Sequence, residues 1–200
     1  MSGIDIRNVC VFCGSSLGNK PVYREAAVAL GELLARQGRA LVWGGGHVGL
    51  MGTVADAVLA AGGETIGVIP TFMVERELAH PDSTEMIEVD SMHTRKAVMA
   101  ERADAFVALP GGYGTGDELF EILTWAQLKI HAKPVGLLNV DGYFDHLLTW
   151  LDRASADGFI RATHRKLLYV DSDPAALLKA MEAHQPLDDD WASKVNLARA

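Results

Sequence analysis

Ala103-Asp104-Ala105-Phe106-Val107-Ala108-Leu109-Pro110-Gly111-Gly112-Tyr113-Gly114-Thr115-Gly116-Asp117-Glu118 turns a buried strand into a helix through four glycines and ends on a carboxylate. Ala103 to Leu109 is nearly all apolar, as a strand covered on both faces must be. The helix is expected from Asp117 to about Ile130. Glycines at the junction let backbone N–H groups approach an anion without interference from Cβ. The first N–H groups of the helix are unpaired and carry a positive partial charge, so a phosphate is favoured there, with Glu118 one turn away. A second reading of the same residues is a capping box, in which Thr115 caps the helix and Glu118 reaches back to it. Capping explains Thr115 and Glu118 but has no use for Gly111, Gly112 and Gly114 together.

Outward from this stretch, apolar strands alternate with helical patterns from end to end. Strands are expected at Asn8 to Phe12, Ala40 to Trp43, Glu64 to Ile69, near Met86 to Val89, Pro134 to Leu138 and Leu167 to Val170. Pro21 opens a helix whose apolar positions Val22, Ala26, Ala29, Leu30, Leu33 and Leu34 follow a period near 3.6, and Gly38 stops it. Further helices are expected at Leu50 to Ala61, Met92 to Arg102 behind Ser91 as cap, Tyr143 to Asp157 and Pro174 to Ala183. Thr71 to Asp90 is irregular and reads as a loop with short helical turns, the kind of excursion that covers a ligand at the carboxyl edge of a parallel sheet. The fold class is therefore α/β: one Rossmann-like, three-layer domain over residues 1–200, a parallel sheet with helices on both faces. Residues 185–200 are acidic and expected to be a peripheral tail, with Trp191 as its candidate anchor.

Composition narrows the function. The 200 residues are 49% hydrophobic and 22% charged, with a formal net charge of −8. Such a balance is that of a soluble globular protein. It argues against a nucleic-acid or anionic-membrane surface, which needs a basic patch to replace counterions. No leader-like segment or membrane-length apolar run occurs, and a cytoplasmic location is expected. Cys10 and Cys13 are the only cysteines. Three residues apart on a strand they point to opposite faces, so free buried thiols are expected rather than a redox pair.

A second glycine turn, Gly44-x-Gly46-x-x-Gly49, also follows a strand and opens a helix. It matches the dinucleotide fingerprint in spacing, but it sits on the second strand and Glu64 is poorly supported as the ribose-binding acid. Two backbone cradles holding one mononucleotide are more economical, with Gly45 and Gly46 as contacts of the first. Tight helix–strand packing is the structural alternative. Met92-His93-Thr94-Arg95-Lys96 places two cations at a helix N-terminus, against the dipole, where a compensating anion is needed. Arg95 has the planar fork that suits phosphate or carboxylate, whereas Lys96 also fits a solvated flank. No His/Cys/Asp cluster has metal-ligand spacing, and neither a metal nor a cofactor is expected.

The combination of Gly44-Gly45-Gly46-x-x-Gly49-Leu50-Met51-Gly52, Met92-His93-x-Arg95-Lys96 and Pro110-Gly111-Gly112-Tyr113-Gly114-Thr115-x-x-Glu118 closely resembles the LOG ("Lonely Guy") family of cytokinin riboside 5′-monophosphate phosphoribohydrolases. Thr124-Trp125-Ala126-Gln127-Leu128 and Lys133-Pro134-Val135-Gly136-Leu137-Leu138-Asn139 extend the resemblance, which runs from Val9 to at least Ile160. It implies hydrolysis of the N-glycosidic bond of N6-substituted AMP to a free base and ribose 5-phosphate, by a homodimer. It places Arg95 and Glu118 at catalytic positions. Glu77, Met92, Lys96, the turn from Gly111 through Gly112, Tyr113, Gly114, Thr115 and Gly116 to Asp117, and Thr124 fall at or beside substrate-binding ones. Gly116-Asp117 departs from the family's usual Leu-Glu pair. A non-catalytic nucleotide or molybdenum-cofactor carrier is the alternative function on the same fold, and a nicotinamide oxidoreductase a further one. The lysine decarboxylase label attached to some relatives is not expected to apply, since no lysine here has the pattern of an aldehyde-cofactor site.

Overall fold

The computed structural model describes residues 4–76 and 78–186. Seven strands, β1 (Asn8–Phe12), β2 (Ala40–Trp43), β3 (Thr65–Pro70), β4 (Glu85–Val89), β5 (Ala105–Ala108), β6 (Val135–Leu138) and β7 (Leu168–Asp171), form one sheet in the order β4-β3-β2-β1-β5-β6-β7. Every neighbouring pair is parallel, with Val9 opposite Leu41 on one side and Ala105 on the other. Parallel strands need crossovers, and seven helices supply them: α1 (Pro21–Arg36), α2 (Gly49–Ala60), α3 (Thr71–Val74), α4 (Met92–Arg102), α5 (Tyr113–Gln127), α6 (Asp145–Ala156) and α7 (Ala162–Arg165); α8 (Pro174–Glu182) follows the last strand.

Alternation along β1 assigns the two layers. Val9, Val11 and Cys13 face α1, α2 and α8, where Leu30, Leu34, Val54, Val58, Leu177 and Met181 are buried. Cys10 and Phe12 face α4, α5 and α6 with Met99, Leu119, Ile122 and Leu151. Both thiols are free and buried, one in each layer, which is why they cannot close a disulfide. Full burial of each aliphatic side chain contributes about 1.5–3 kcal/mol, so β1 and β5, covered on both sides, anchor the sheet.

The expected element order is observed, with shifted ends. Gly38 at φ 65° terminates α1, and Ser91 Oγ accepts from the Thr94 N–H at 3.1 Å to cap α4. The irregular region contains α3 and the edge strand β4. A 3-10 turn at Val140–Gly142 delays α6 to Asp145, and α7 is an additional short turn that no periodic pattern announces. The largest correction concerns α5. It starts at Tyr113, four residues before the expected Asp117, and ends at Gln127 rather than Ile130, just ahead of Lys129 at φ 60°. Glycines at 114 and 116 carry low helix propensity and read as turn, but Thr115 and Leu119 are buried and tertiary packing overrides the local preference. Trp191 and most of the acidic tail lie outside the described residues.

Strand order places the site. β1 and β5 stay paired up to two residues past their ends, through Leu109 N–H to Phe12 O (2.9 Å) and Gly14 N–H to Pro110 O (3.0 Å). Their chains then part, to α1 on one face and α5 on the other. This is the reversal point at which ligands bind in open parallel sheets.

Candidate active site

A cavity of about 280 Å³ opens where those chains part. One wall is the start of α5, with Gly112, Tyr113, Gly114 and Thr115; Cys13, Gly14 and Ser15 after β1 lie beside it. Met51 of α2, Met73 of α3 and Met92 of α4 approach from the β2–β3 side. Arg95 and Lys96 of α4 and Asp117 and Glu118 of α5 supply the charge.

The turn before α5 is fixed by its neighbours. A Cβ on Gly111 would stand 2.8 Å from both Gly14 N and Thr115 Cβ, and the Gly111 carbonyl accepts from Tyr143 Oη at 2.5 Å. Gly112, Gly114 and Gly116 differ: a Cβ on any of them would meet nothing within 4 Å, so protein packing does not require glycine there. Gly112, without a side-chain bond, is the N-cap, and the capping box does not form. Thr115 instead occupies the third helical position, 4% exposed, and its Oγ1 is buried without a partner among the described residues. An unmade hydroxyl bond costs about 1–3 kcal/mol. The first intrahelical bond runs from Gly116 N–H to Gly112 O at 3.1 Å, leaving the N–H groups of Tyr113, Gly114 and Thr115 without helical acceptors.

Arg95 is 6% exposed, and among the described residues its guanidinium bonds to backbone carbonyls rather than to a carboxylate. Nη2 donates to Gly44 O at 2.7 Å and Nε to Val68 O at 3.1 Å, while Nη1 faces Met92 Sδ at 3.8 Å. Burial lowers its pKa from the usual arginine value. Glu118 is half-buried; burial pushes its carboxyl up to about 7, and the Arg95 charge pulls against that rise. Burial also works against Lys96, but its bonds to Asp117 Oδ2 (3.0 Å) and Glu121 Oε2 (3.1 Å) outweigh it and raise its pKa. The expected anion for these cations is thus partly internal: carbonyls for Arg95 and two carboxylates of α5 for Lys96.

Arg95, Lys96, Met92, Gly112, Tyr113, Gly114, Thr115, Asp117 and Glu118 are brought together. Gly111 and Gly116 flank them. Gly45 and Gly46 do not line this cavity. Both are buried, Gly45 O accepts from His80 N–H at 2.8 Å, and Gly46 O accepts from Trp43 Nε1 at 3.2 Å, so this turn packs protein against protein. Thr124 also falls elsewhere: its hydroxyl donates to Phe120 O at 2.7 Å, and it lines an apolar groove with Leu123, Trp150 and Ile160. Glu77 lies outside the described residues. Met51, Met73, Cys13, Gly14 and Ser15 escaped the sequence reading. The Cys13-Gly14-Ser15 turn could have been placed only with the strand order in hand.

A family model described as "Possible lysine decarboxylase" matches residues 51–181. A "Probable cytokinin riboside 5′-monophosphate phosphoribohydrolase" of Oryza sativa subsp. japonica is 56% identical over 181 residues, 90% of this chain and 80% of the relative. A cytokinin riboside 5′-monophosphate phosphoribohydrolase of Arabidopsis thaliana is 49% identical over 189 residues, 94% of this chain and 89% of that one. The chain belongs to the LOG family. Among solved structures, a molybdenum cofactor binding protein from Rippkaea orientalis matches this LOG protein with TM-score 0.68 and 24% identity over 90% of this chain and 97% of its own, a likeness of fold alone. The decarboxylase description does not suit the site. Lys96, which lines the cavity, is held as a charged ammonium by two carboxylates, the opposite of the lowered pKa that a Schiff-base lysine needs.

Proposed function

We propose that the chain hydrolyses the N-glycosidic bond of cytokinin riboside 5′-monophosphates, giving a free adenine-type base and ribose 5-phosphate. The observation that carries this reading is the meeting, in one cavity, of the open N-terminus of α5 with a carboxylate whose pKa is raised towards neutrality. Relatives about half identical over nearly the whole chain bear that activity in their names. A carrier reading has only the fold in its favour.

In this mechanism the 5′-phosphate sits on the N–H groups of Tyr113, Gly114 and Thr115, where the helix dipole favours charge and Thr115 Oγ1 gains a partner. The sugar then faces Glu118. As the C1′–N9 bond lengthens, its electron pair leaves with the base and positive charge builds on the ribose, which the carboxylate stabilises. Water adds to C1′, Glu118 accepts its proton, and the departing base takes up a proton from solvent at its freed nitrogen. Arg95 is a fixed positive charge that favours the ionised form of Glu118.

Separation of products from AMP, isopentenyl-AMP, other 5′-monophosphates and their nucleosides tests the reading; no released base from any of them would end it. Because the reactive form is the carboxylate, kcat is expected to rise with unit slope below about pH 7 and level off above it. A flat profile between pH 5 and 8 would remove Glu118 from that role.

The N6 substituent is assigned to Met51, Met73 and Met92. Neighbouring strands lie about 4.8 Å apart, so the β3 end is roughly 14 Å from the phosphate cradle on β5, near the reach of a mononucleotide from phosphate to N6. Methionines suit a flexible apolar group against an aromatic base. Met73→Ala, on the short exposed α3, is expected to cut kcat/KM for isopentenyl-AMP about 5- to 10-fold, near one to two buried methylenes, while leaving AMP nearly unchanged. Equal losses on both nucleotides would place the substituent elsewhere. A cytoplasmic homodimer completes the proposal, and Trp150 (55% exposed) and Phe159 (86%) are apolar surface consistent with it.

A further inference from the structure

Gly44 opens the Gly44-x-Gly46-x-x-Gly49 pattern, yet the turn does not require it to be glycine. Positive φ falls on Gly45 (71°) and Gly49 (62°), and not on Gly44. What excludes a side chain at Gly44 is Arg95: a Cβ there would collide with Nη2 and stand 2.7 Å from Cζ and 3.2 Å from Nε. The same guanidinium bonds to the Gly44 carbonyl at 2.7 Å and the Val68 carbonyl at 3.1 Å. It lies against bare backbone, tied to one carbonyl just past β2 and one within β3.

We propose that Gly44 is a positioning residue for the hydrolysis, acting through Arg95 by clearing the space in which the guanidinium docks on these two carbonyls and faces Glu118. The proposal rests on the roles given above to Arg95 and Glu118. The obstacle to a methyl group is the far end of a side chain and not backbone, so Gly44→Ala should fold with the guanidinium pushed off its seat. Charged and titratable groups coupled to Glu118 are Arg95 and Lys96 from α4, Asp117 and Glu121 from α5, Cys10 of β1 and Cys13 just after it. Of these, the substitution displaces Arg95.

Gly44→Ala, Arg95→Ala and the double variant form a cycle, read by kcat, KM and the pH profile on isopentenyl-AMP and by thermal unfolding. Gly44→Ala is expected to lower kcat at pH 7 at least about 10-fold and to move the acidic limb to higher pH by about half a unit or more, because a favourable charge has left the carboxylate. Arg95→Ala is expected to be inactive or nearly so. Adding Gly44→Ala to it should cost nothing further in unfolding temperature, since no guanidinium remains to displace, a coupling that unfolding reads even in inactive protein. Gly45→Ala is the control for a merely disturbed loop. It strains a residue at φ 71° and brings Cβ within 3.0 Å of Ile69 Cβ, away from Arg95, so its cost should persist in the Arg95→Ala background. A Gly44→Ala enzyme with wild-type kcat and pH profile, or one whose loss of stability is as large without Arg95, would overturn the proposal. Absence of base release by the unmodified protein would instead end the glycosidase reading, and the unfolding cycle would still decide whether Gly44 serves Arg95.

Discussion

Glu118→Gln is expected to lose two or more powers of ten in kcat while keeping the fold and nucleotide binding, because the change is nearly isosteric and removes only the charge on which the transition state depends. Its pH profile should be flat, since the glutamine imitates the protonated acid at every pH. The wild-type rate should approach that of the variant as pH falls well below 7. Stability should move the other way. The folded pKa of Glu118 lies above its unfolded value, so the native state retains a proton that the unfolded chain gives up between about pH 4.5 and 7, and this carboxyl costs stability as pH rises through that window. Full expression of the shift corresponds to about 3 kcal/mol, and water in the open cavity reduces it. Glu118→Gln should therefore unfold at a higher temperature than the wild type at pH 8, with the advantage fading near pH 4.5. A variant that turns over at near-normal rate would leave Glu118 without a catalytic role, and one less stable at pH 8 would contradict its desolvation.

Legibility in the sequence divides along physical lines. The parallel α/β architecture was readable because strands buried on both faces leave continuous apolar runs, as in Ala105-Phe106-Val107-Ala108, and because Pro21, Gly38 and Ser91 punctuate helices by local chemistry. Arg95 stood out as a cation set against a helix dipole and Glu118 as the carboxylate after a glycine turn, and the fold brings both to one cavity. The start of α5 was not, since its glycines favour a turn locally and only the packing of Thr115 over Gly111 makes the helix begin earlier. The reason for the first glycine turn is likewise not contained in its spacing. Spacing records that Cβ is forbidden at Gly44 but not what forbids it, and here the excluded volume belongs to Arg95, 51 residues away in sequence. Met73 carries no signal, and Met51 only its place in the glycine motif, because an apolar helical residue that lines a cavity looks like one that fills a core.

Removal of the 5′-phosphate should be the most damaging change to the substrate. Isopentenyladenosine is expected to be hydrolysed two to four powers of ten less efficiently than isopentenyl-AMP. The start of α5 offers N–H groups at Tyr113, Gly114 and Thr115 that the helix cannot use, over glycines whose Cβ positions open into free space. Thr115 Oγ1 is a further buried group without a partner among the described residues. Each preorganised donor that loses a charged acceptor costs on the order of 1–3 kcal/mol where water cannot replace it, and two such losses already reach the predicted range. Asp117 near the cradle does not cancel this attraction, because Lys96 neutralises it at 3.0 Å. The anchor is remote from the C1′–N9 bond, so part of the deficit should appear in kcat as well as in KM: binding energy at the phosphate holds the sugar against Glu118. Inorganic phosphate or ribose 5-phosphate should then compete with the nucleotide, whereas free adenine should compete weakly. Equal efficiencies on nucleotide and nucleoside would sink the phosphate anchor at α5 even if base release from both were confirmed.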